Sequence, residues 1–236
     1  MQARGSSRLT IVIPVYNEER SIPTLVTTCH EVSSQELIEF VIVENGSSDN
    51  SLEILTSELR DLENFRVVSI KENCGFGGGI ANGIQVAETD FVAWIPGNLK
   101  VHPQSCLDGF KLLLASEHYP EVAAKALRTG RPLYDRTATM AVSTLWSIMT
   151  RKVLWDTGAP PTIVPRRLMV DRDLPPGYEL EVFVTWLIKK SGLYLLRFPV
   201  HYGERKHGKS RWNTDFLAQI KLTFHISNFV RKEMMK

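Results

Sequence analysis

The stretch Leu9-Thr10-Ile11-Val12-Ile13-Pro14-Val15-Tyr16-Asn17-Glu18 decides how the rest of the chain is read. A short β-branched run stops at a cluster of turn-forming, hydrogen-bonding residues, the pattern of a buried strand running into a polar loop. The same pattern recurs in Phe40-Val41-Ile42-Val43-Glu44-Asn45-Gly46-Ser47-Ser48-Asp49. Parallel strands are joined by a crossover, usually helical, and ligands sit at the carboxyl ends of such strands. Two polar strand ends one crossover apart therefore predict a single small-molecule crevice.

Working outward, the first half alternates regularly. Strands are expected near 9–13, 38–43, 66–70 and 91–95, and helices near 21–32, 49–61 and 78–88. This is an α/β fold with a mostly parallel, doubly wound sheet flanked by helices. Right-handed crossovers bring the loops 15–19, 44–49, 73–79 and 96–100 to one edge. After Pro103 a helix to about 117, a strand near 122–127, an arginine-bearing loop and a helix over 137–155 are expected. Prolines at 160, 161, 165, 175 and 176 punctuate a loop-rich stretch before a helix over 179–191 and a strand at 194–200. We read residues 1–236 as one domain with a helical extension over about 212–236.

Composition narrows the function. A chain of 236 residues can bury a full core without disulfides. Its net charge of +2 gives no argument for a nucleic-acid partner. Cys29, Cys74 and Cys106 lack paired metal-ligand spacing and fit a reduced, cytoplasmic setting. No window reaches the roughly 18 to 20 apolar residues of a membrane span, so a soluble or peripheral protein is expected.

The strand-end loops carry what a nucleotide needs. Tyr16 can pack on a base, Glu18 can accept from ribose hydroxyls, and Asn45 or Asp49 can read a base edge. The alternative for 45–49 is a turn that caps the next helix. The segment Asn73-Cys74-Gly75-Phe76-Gly77-Gly78-Gly79 is glycine-rich where a helix should begin, which suits either an anion or close backbone packing. It matches neither the dinucleotide fingerprint nor the P-loop.

Together with 94–103 and 205–212, these segments resemble family 2 glycosyltransferases of the GT-A fold, near the dolichol- or polyprenyl-phosphate sugar synthases. The resemblance implies an inverting enzyme that moves a sugar from a nucleotide-diphosphate donor to a glycan or polyprenyl-linked acceptor, in polysaccharide- or lipopolysaccharide-type biosynthesis. The family's Pro-x-Tyr-Asn-Glu loop corresponds to Pro14, Tyr16, Asn17 and Glu18. Its Asp-Asp-Gly-Ser loop corresponds to Glu44-Asn45-Gly46-Ser47, with Asp49 following. With Gly75, Gly97 and Asn98, these positions are expected to bind the donor nucleotide. No organic cofactor is implied.

One departure stands out. Where the family carries Asp-x-Asp to hold a divalent cation, this chain reads Pro96-Gly97-Asn98, followed by Leu99 and Lys100. Both carboxylates are missing, so magnesium or manganese binding is in doubt, and no metal ligand is assigned. Lysine and arginine groups are expected to meet the leaving diphosphate instead. The competing reading is a non-catalytic nucleotide- or glycan-binding homologue. Candidate phosphate or acceptor residues are Lys100, Arg128, Arg131, Lys209 and Ser210. Lys125, Arg128, Arg131 and Arg136 crowd the middle of the chain. Arg205, Gly208 and Ser210 match the family's Arg-x-x-Gly-x-Ser loop and make Arg205 a catalytic candidate.

A hydroxyl acceptor needs a base. Glu181, then Glu179, are the candidates at the start of the 179–191 helix, against the alternative that they only offset the helix dipole. An ionised phosphate acceptor needs none. Polyprenyl-phosphate synthases commonly lack an acid here, so its presence leans toward a sugar hydroxyl. Phe216, Leu217, Ile220 and Phe224 form an apolar stripe ahead of Arg231, Lys232 and Lys236, which suits an anionic membrane surface or packing against the domain. The segment 140–154 invites the same two readings. The expected location is cytoplasmic, with the cytosolic membrane face as the peripheral site.

Overall fold

The computed structural model describes residues 8–33, 38–130, 133–203 and 216–235, without the side chains of 216 and 217. β1 (Leu9–Val15), β2 (Ile38–Asn45), β3 (Phe65–Ile70) and β4 (Phe91–Trp94) alternate with α1 (Ile22–Ser33), α2 (Ser51–Glu58) and α3 (Gly75–Val86). α4 (Gln104–Ala115), β5 (Val122–Thr129), α5 (Leu133–Thr150), β6 (Thr162–Pro165), α6 (Glu179–Lys190), β7 (Tyr194–His201) and α7 (Phe216–Phe229) follow. Seven strands form a sheet in the order β3-β2-β1-β4-β6-β5-β7, parallel except for β6.

Alternation along β1 explains the layers. Leu9, Ile11 and Ile13 face α1, α2 and α4, whereas Val12 faces α3 and α6, and all four are fully buried. Covering both faces is what turns a parallel strand into a continuous apolar run. The chain winds leftward from β1 to β2 and β3, then crosses to β4 on the other side of β1. Strand order reverses between β1 and β4, and a crevice opens at such a switch point. The β1–β4 ladder ends at Val12 opposite Trp94, so Pro14, which has no N–H, lies just past the last paired position.

Three elements differ from the sequence reading. β6 lies inside the proline-punctuated stretch, where four residues are too few to show a period. It forms because β4 and β5 offer antiparallel edges on either side, pairing with Trp94 to Phe91 and with Ala124 and Lys125. α3 starts at Gly75, three residues early, because close packing suits its glycines better than a loop would. α5 begins at Leu133, not 137, and ends at Thr150. The expected tail helix is present as α7 with a π-helical turn, Val230–Met234. Ile226, Val230 and Met234 are buried on the α6 side of the sheet, and Trp146 Nε1 donates to Ser227 Oγ at 3.0 Å. Ile220 and Phe224 remain exposed.

Candidate active site

The loops after β1 and β2 are stitched together at the crevice. Asn17 adopts φ 53°, a left-handed conformation that asparagine tolerates. Its N–H donates to Ser47 Oγ at 3.0 Å, and its Oδ1 accepts from the Ser48 N–H at 2.8 Å. The Glu18 N–H donates to Ser51 Oγ at 3.1 Å and the Glu19 N–H to Asp49 Oδ2 at 3.3 Å. Glu18 Oε2 accepts from Ser21 Oγ at 2.8 Å. Tyr16, Asn17 and Glu18 are half-buried and so remain at the rim.

Glu44 and Asn45, expected at the donor site, are almost wholly buried. Glu44 Oε1 accepts from the Ser47 N–H at 2.6 Å, closing its own turn, and Ser69 Oγ lies 3.4 Å from Oε2. Asn45 reaches across to α3. Its Nδ2 donates to the Gly75 carbonyl at 2.9 Å, and its Oδ1 accepts from the Cys74 N–H at 3.2 Å. Asp49 Oδ1 accepts from the Ser51 N–H at 3.0 Å, an Asx-type turn just ahead of α2.

The glycines of α3 answer a packing need. A Cβ on Gly77 would lie 2.1 Å from the Pro175 carbonyl oxygen, and one on Gly75 would lie 2.4 Å from that of Pro176. The Gly78 N–H donates to the Pro176 carbonyl at 2.9 Å. The loop before α6 thus rests on the first turn of α3 and uses an N–H that an anion would need.

At the end of β4 the turn that replaces Asp-x-Asp packs against β1. A Cβ on Gly97 would meet Val15 Cγ1 at 2.6 Å and the Pro14 carbonyl at 3.2 Å, so only glycine lets this turn approach the crevice so closely. Asn98 Oδ1 accepts from the Lys100 N–H at 3.2 Å, and the Lys100 carbonyl accepts from the Gly203 N–H at 3.0 Å, which ties the turn to the end of β7. Proline and asparagine occupy the two positions, and among the described residues no group of three His, Cys, Asp or Glu side chains gathers to hold a metal.

The remaining candidates are distributed differently from the sequence reading. Glu181 lies in the interior on the first turn of α6, with Oε1 accepting from Trp94 Nε1 at 2.7 Å and Oε2 from Lys125 Nζ at 2.7 Å. Lys125, read as part of a basic loop cluster, is in β5 and has no solvent exposure. Burial pulls its ammonium below the ordinary lysine value, and Glu181 opposes that shift. Glu179 Oε1 accepts from the Gly177 N–H at 3.2 Å, and Oε2 is 3.7 Å from His225 Nε2.

Arg128 is paired with Asp156 through its Nε at 2.8 Å, its backbone N–H at 3.2 Å and its terminal nitrogen. Burial alone would raise the Asp156 carboxyl, but the Arg128 hydrogen bonds and charge outweigh it and hold the group below its ordinary value. Arg136 is exposed on α5. Arg131, Arg205, Gly208, Lys209 and Ser210 lie outside the described residues.

The sequence reading missed Trp94, Thr162 and Asp156. A signal existed for the buried lysine that two of them adjoin. In Val122-Ala123-Ala124-Lys125-Ala126-Leu127 the lysine shares the face of Ala123, which predicts a buried cation in want of a carboxylate.

Residues 10–119 match the family model Glycosyl transferase family 2. The fold is shared with solved structures of glucosyl-3-phosphoglycerate synthase from Mycobacterium tuberculosis. One, in complex with Mn2+, UDP-glucose and phosphoglyceric acid, superposes with a TM-score of 0.72 at 16% identity over 95% of this chain and 78% of that one. Another, with Mn2+, UDP and phosphoglyceric acid, gives 0.71 at 15% identity over 97% and 80%. The complex with UDP gives 0.70 at 17% identity over 95% and 82%.

Proposed function

From the match of residues 10–119 to the glycosyl transferase family 2 model, we propose that the chain transfers a sugar, with inversion, from a nucleoside-diphosphate donor to a phosphate, lipid-linked or glycan acceptor. The observation that carries the donor reading is the turn Pro96–Lys100 held by Gly97 against Pro14 and Val15 at the switch point, beside the stitched loops after β1 and β2. In this reading Tyr16, Asn17, Glu18 and Asp49 line the nucleoside side, and Asn98 and Lys100 supply polar and positive groups for the diphosphate. The UDP-glucose complex of the similar synthase supports the donor class.

The acceptor reading follows from Glu181. A carboxylate engaged by an indole, an ammonium and a hydroxyl is poorly placed to take a proton, whereas an acceptor that is already ionised needs no base. This favours an acceptor that attacks through an ionised phosphate oxygen over one that attacks through a sugar hydroxyl. Contact with an anionic membrane surface belongs to the same proposal. Ile148, Val153 and Phe224 are 72%, 75% and 69% exposed, among the cations Arg151, Lys152 and Lys221. No helix among the described residues is long and apolar enough to cross a membrane. Co-sedimentation with vesicles with and without anionic lipid tests this contact.

The absence of both metal carboxylates also favours a second reading, a homologue that binds nucleotide without turnover. Thermal unfolding with UDP, GDP, CDP or dTDP, each with Mn2+ or chelator, is the test. A ligand at 100 times its dissociation constant adds about 2.7 kcal/mol. A shift with one nucleotide that survives chelator is expected, and sugar-nucleotide turnover then separates the two readings. No shift with any nucleotide refutes the donor site.

A further inference from the structure

Four polar groups from four elements meet beneath the crevice. Trp94, Thr162 and Lys125 stand side by side across β4, β6 and β5, where the register pairs Trp94 with Thr162 and Thr162 with Lys125. All lie on the face covered by α6. Glu181 closes the group from above. Lys125 Nζ donates to Thr162 Oγ1 at 2.6 Å as well as to Glu181, and Thr162 Oγ1 lies 3.4 Å from Glu181 Oε2. The Lys125 and Glu181 side chains are 0% and 4% exposed. Each member has its partner within the group.

Stability alone does not account for such a quartet. Burying an ion pair costs desolvation that its attraction at best roughly repays, and well-packed apolar residues of the same volume often serve as well or better. What the quartet does supply is fixed geometry. Trp94 is the last residue of β4, and only the Ile95 N–H bond to the Val12 carbonyl, at 3.3 Å, follows before the chain turns into Pro96-Gly97-Asn98. Glu181 is equally close to the other wall, because α6 begins two residues earlier and its preceding loop rests on the first turn of α3. One carboxylate thus joins the turn on the donor side to the helix start on the opposite side.

We infer that Glu181 is a positioning residue, which with Lys125 holds the Trp94 indole and thereby sets the 95–100 turn against the start of α6. The inference rests on the donor reading of that turn for its binding readout, but its structural readout does not need a nucleotide. Removing both charges together avoids an orphaned buried ion, so K125M/E181Q and K125M/E181L are the informative variants. The glutamine keeps an acceptor for the indole, and the leucine does not. Both should unfold within a few degrees of the parent.

In K125M/E181L, amide hydrogen exchange across 95–103 should quicken by about tenfold, and UDP affinity should fall by about ten- to a hundredfold, the scale of a displacement near 1 Å in a site. In K125M/E181Q both should stay within about threefold of the parent. Trp94→Phe, which deletes the indole donor and leaves a small cavity while Lys125 and Glu181 stay paired, should reproduce the leucine result and serves if that variant fails to fold. Unchanged exchange in the leucine variant and in Trp94→Phe, or equal acceleration in both double variants, overturns the inference. So does a glutamine variant that keeps its exchange and UDP affinity but loses about a hundredfold or more in turnover, because that is the mark of a general base. If the parent binds no nucleotide, the donor reading fails and the exchange data alone judge the positioning.

Discussion

Replacing Gly77 by alanine should destabilise the protein, although alanine is the better helix former by about 1 kcal/mol. Gly77 is in the first turn of α3 without a positive φ, so backbone strain is not the issue. A Cβ there would lie 2.1 Å from the Pro175 carbonyl oxygen and 2.7 Å from that of Gly177, both backbone atoms that cannot rotate away. Ordinary contact demands about 1 Å more, so the loop before α6 has to lift off. That movement breaks the 2.9 Å bond from the Gly78 N–H to the Pro176 carbonyl, worth about 1 kcal/mol net. It also disturbs the stack of Phe76 on Tyr178, whose centroids are 4.9 Å apart, worth a further ~1 kcal/mol. Overpacking strain of about 1–3 kcal/mol comes on top. Against the propensity gain, the net loss is about 2–4 kcal/mol, or roughly 5 to 15 °C in melting temperature for a chain of this size. Urea unfolding of Gly77→Ala beside Gly158→Ala is the assay, because a Cβ on Gly158 meets nothing within 4 Å. The control should stay within about 0.5 kcal/mol. A Gly77→Ala protein as stable as the parent would refute the claim that the α3 glycines exist for this backbone contact.

Other perturbations probe the site and its supports. Asp156 is held below its ordinary value, so its pair with Arg128 stabilises fully at neutral pH and fades as pH falls below about 4 toward the folded value. Asp156→Asn should therefore be less stable than the parent at pH 7, with the gap narrowing in acid, and urea midpoints across that range check it; a constant gap refutes the linkage. Asn45→Ala strands the Gly75 carbonyl and the Cys74 N–H, and should cost about 1–3 kcal/mol in urea unfolding. Restoring the carboxylates in P96D/N98D should make nucleotide stabilisation depend on Mn2+, read as a difference in melting temperature with and without chelator. Lys100→Ala should weaken UDP binding by about tenfold in calorimetry, the loss of one charge-assisted contact.

The sequence determined the strands and the edge at which they end. Leu9–Val15 and Ile38–Asn45 are apolar on both faces, and only a covered parallel sheet accommodates such runs, so the alternation of elements through β4 and the convergence of their loops were legible from local pattern. The family resemblance over the same segments was legible for the same reason, since its motifs are contiguous. Tertiary structure alone decided the partners of polar groups. Glu44 and Asn45 are donor-site candidates by pattern, and packing shows that Glu44 also holds its own turn while Asn45 reaches the start of α3. The partners of Glu181 were hidden until β6, a four-residue strand invisible to any period, inserts between β4 and β5 and brings Thr162, Lys125 and Trp94 beneath it. Local sequence fixes which residues are apolar and where the chain must turn, because those depend on neighbours a few positions away. The fate of a buried charge depends on residues 56 and 87 positions distant, and only the packed sheet brings those together.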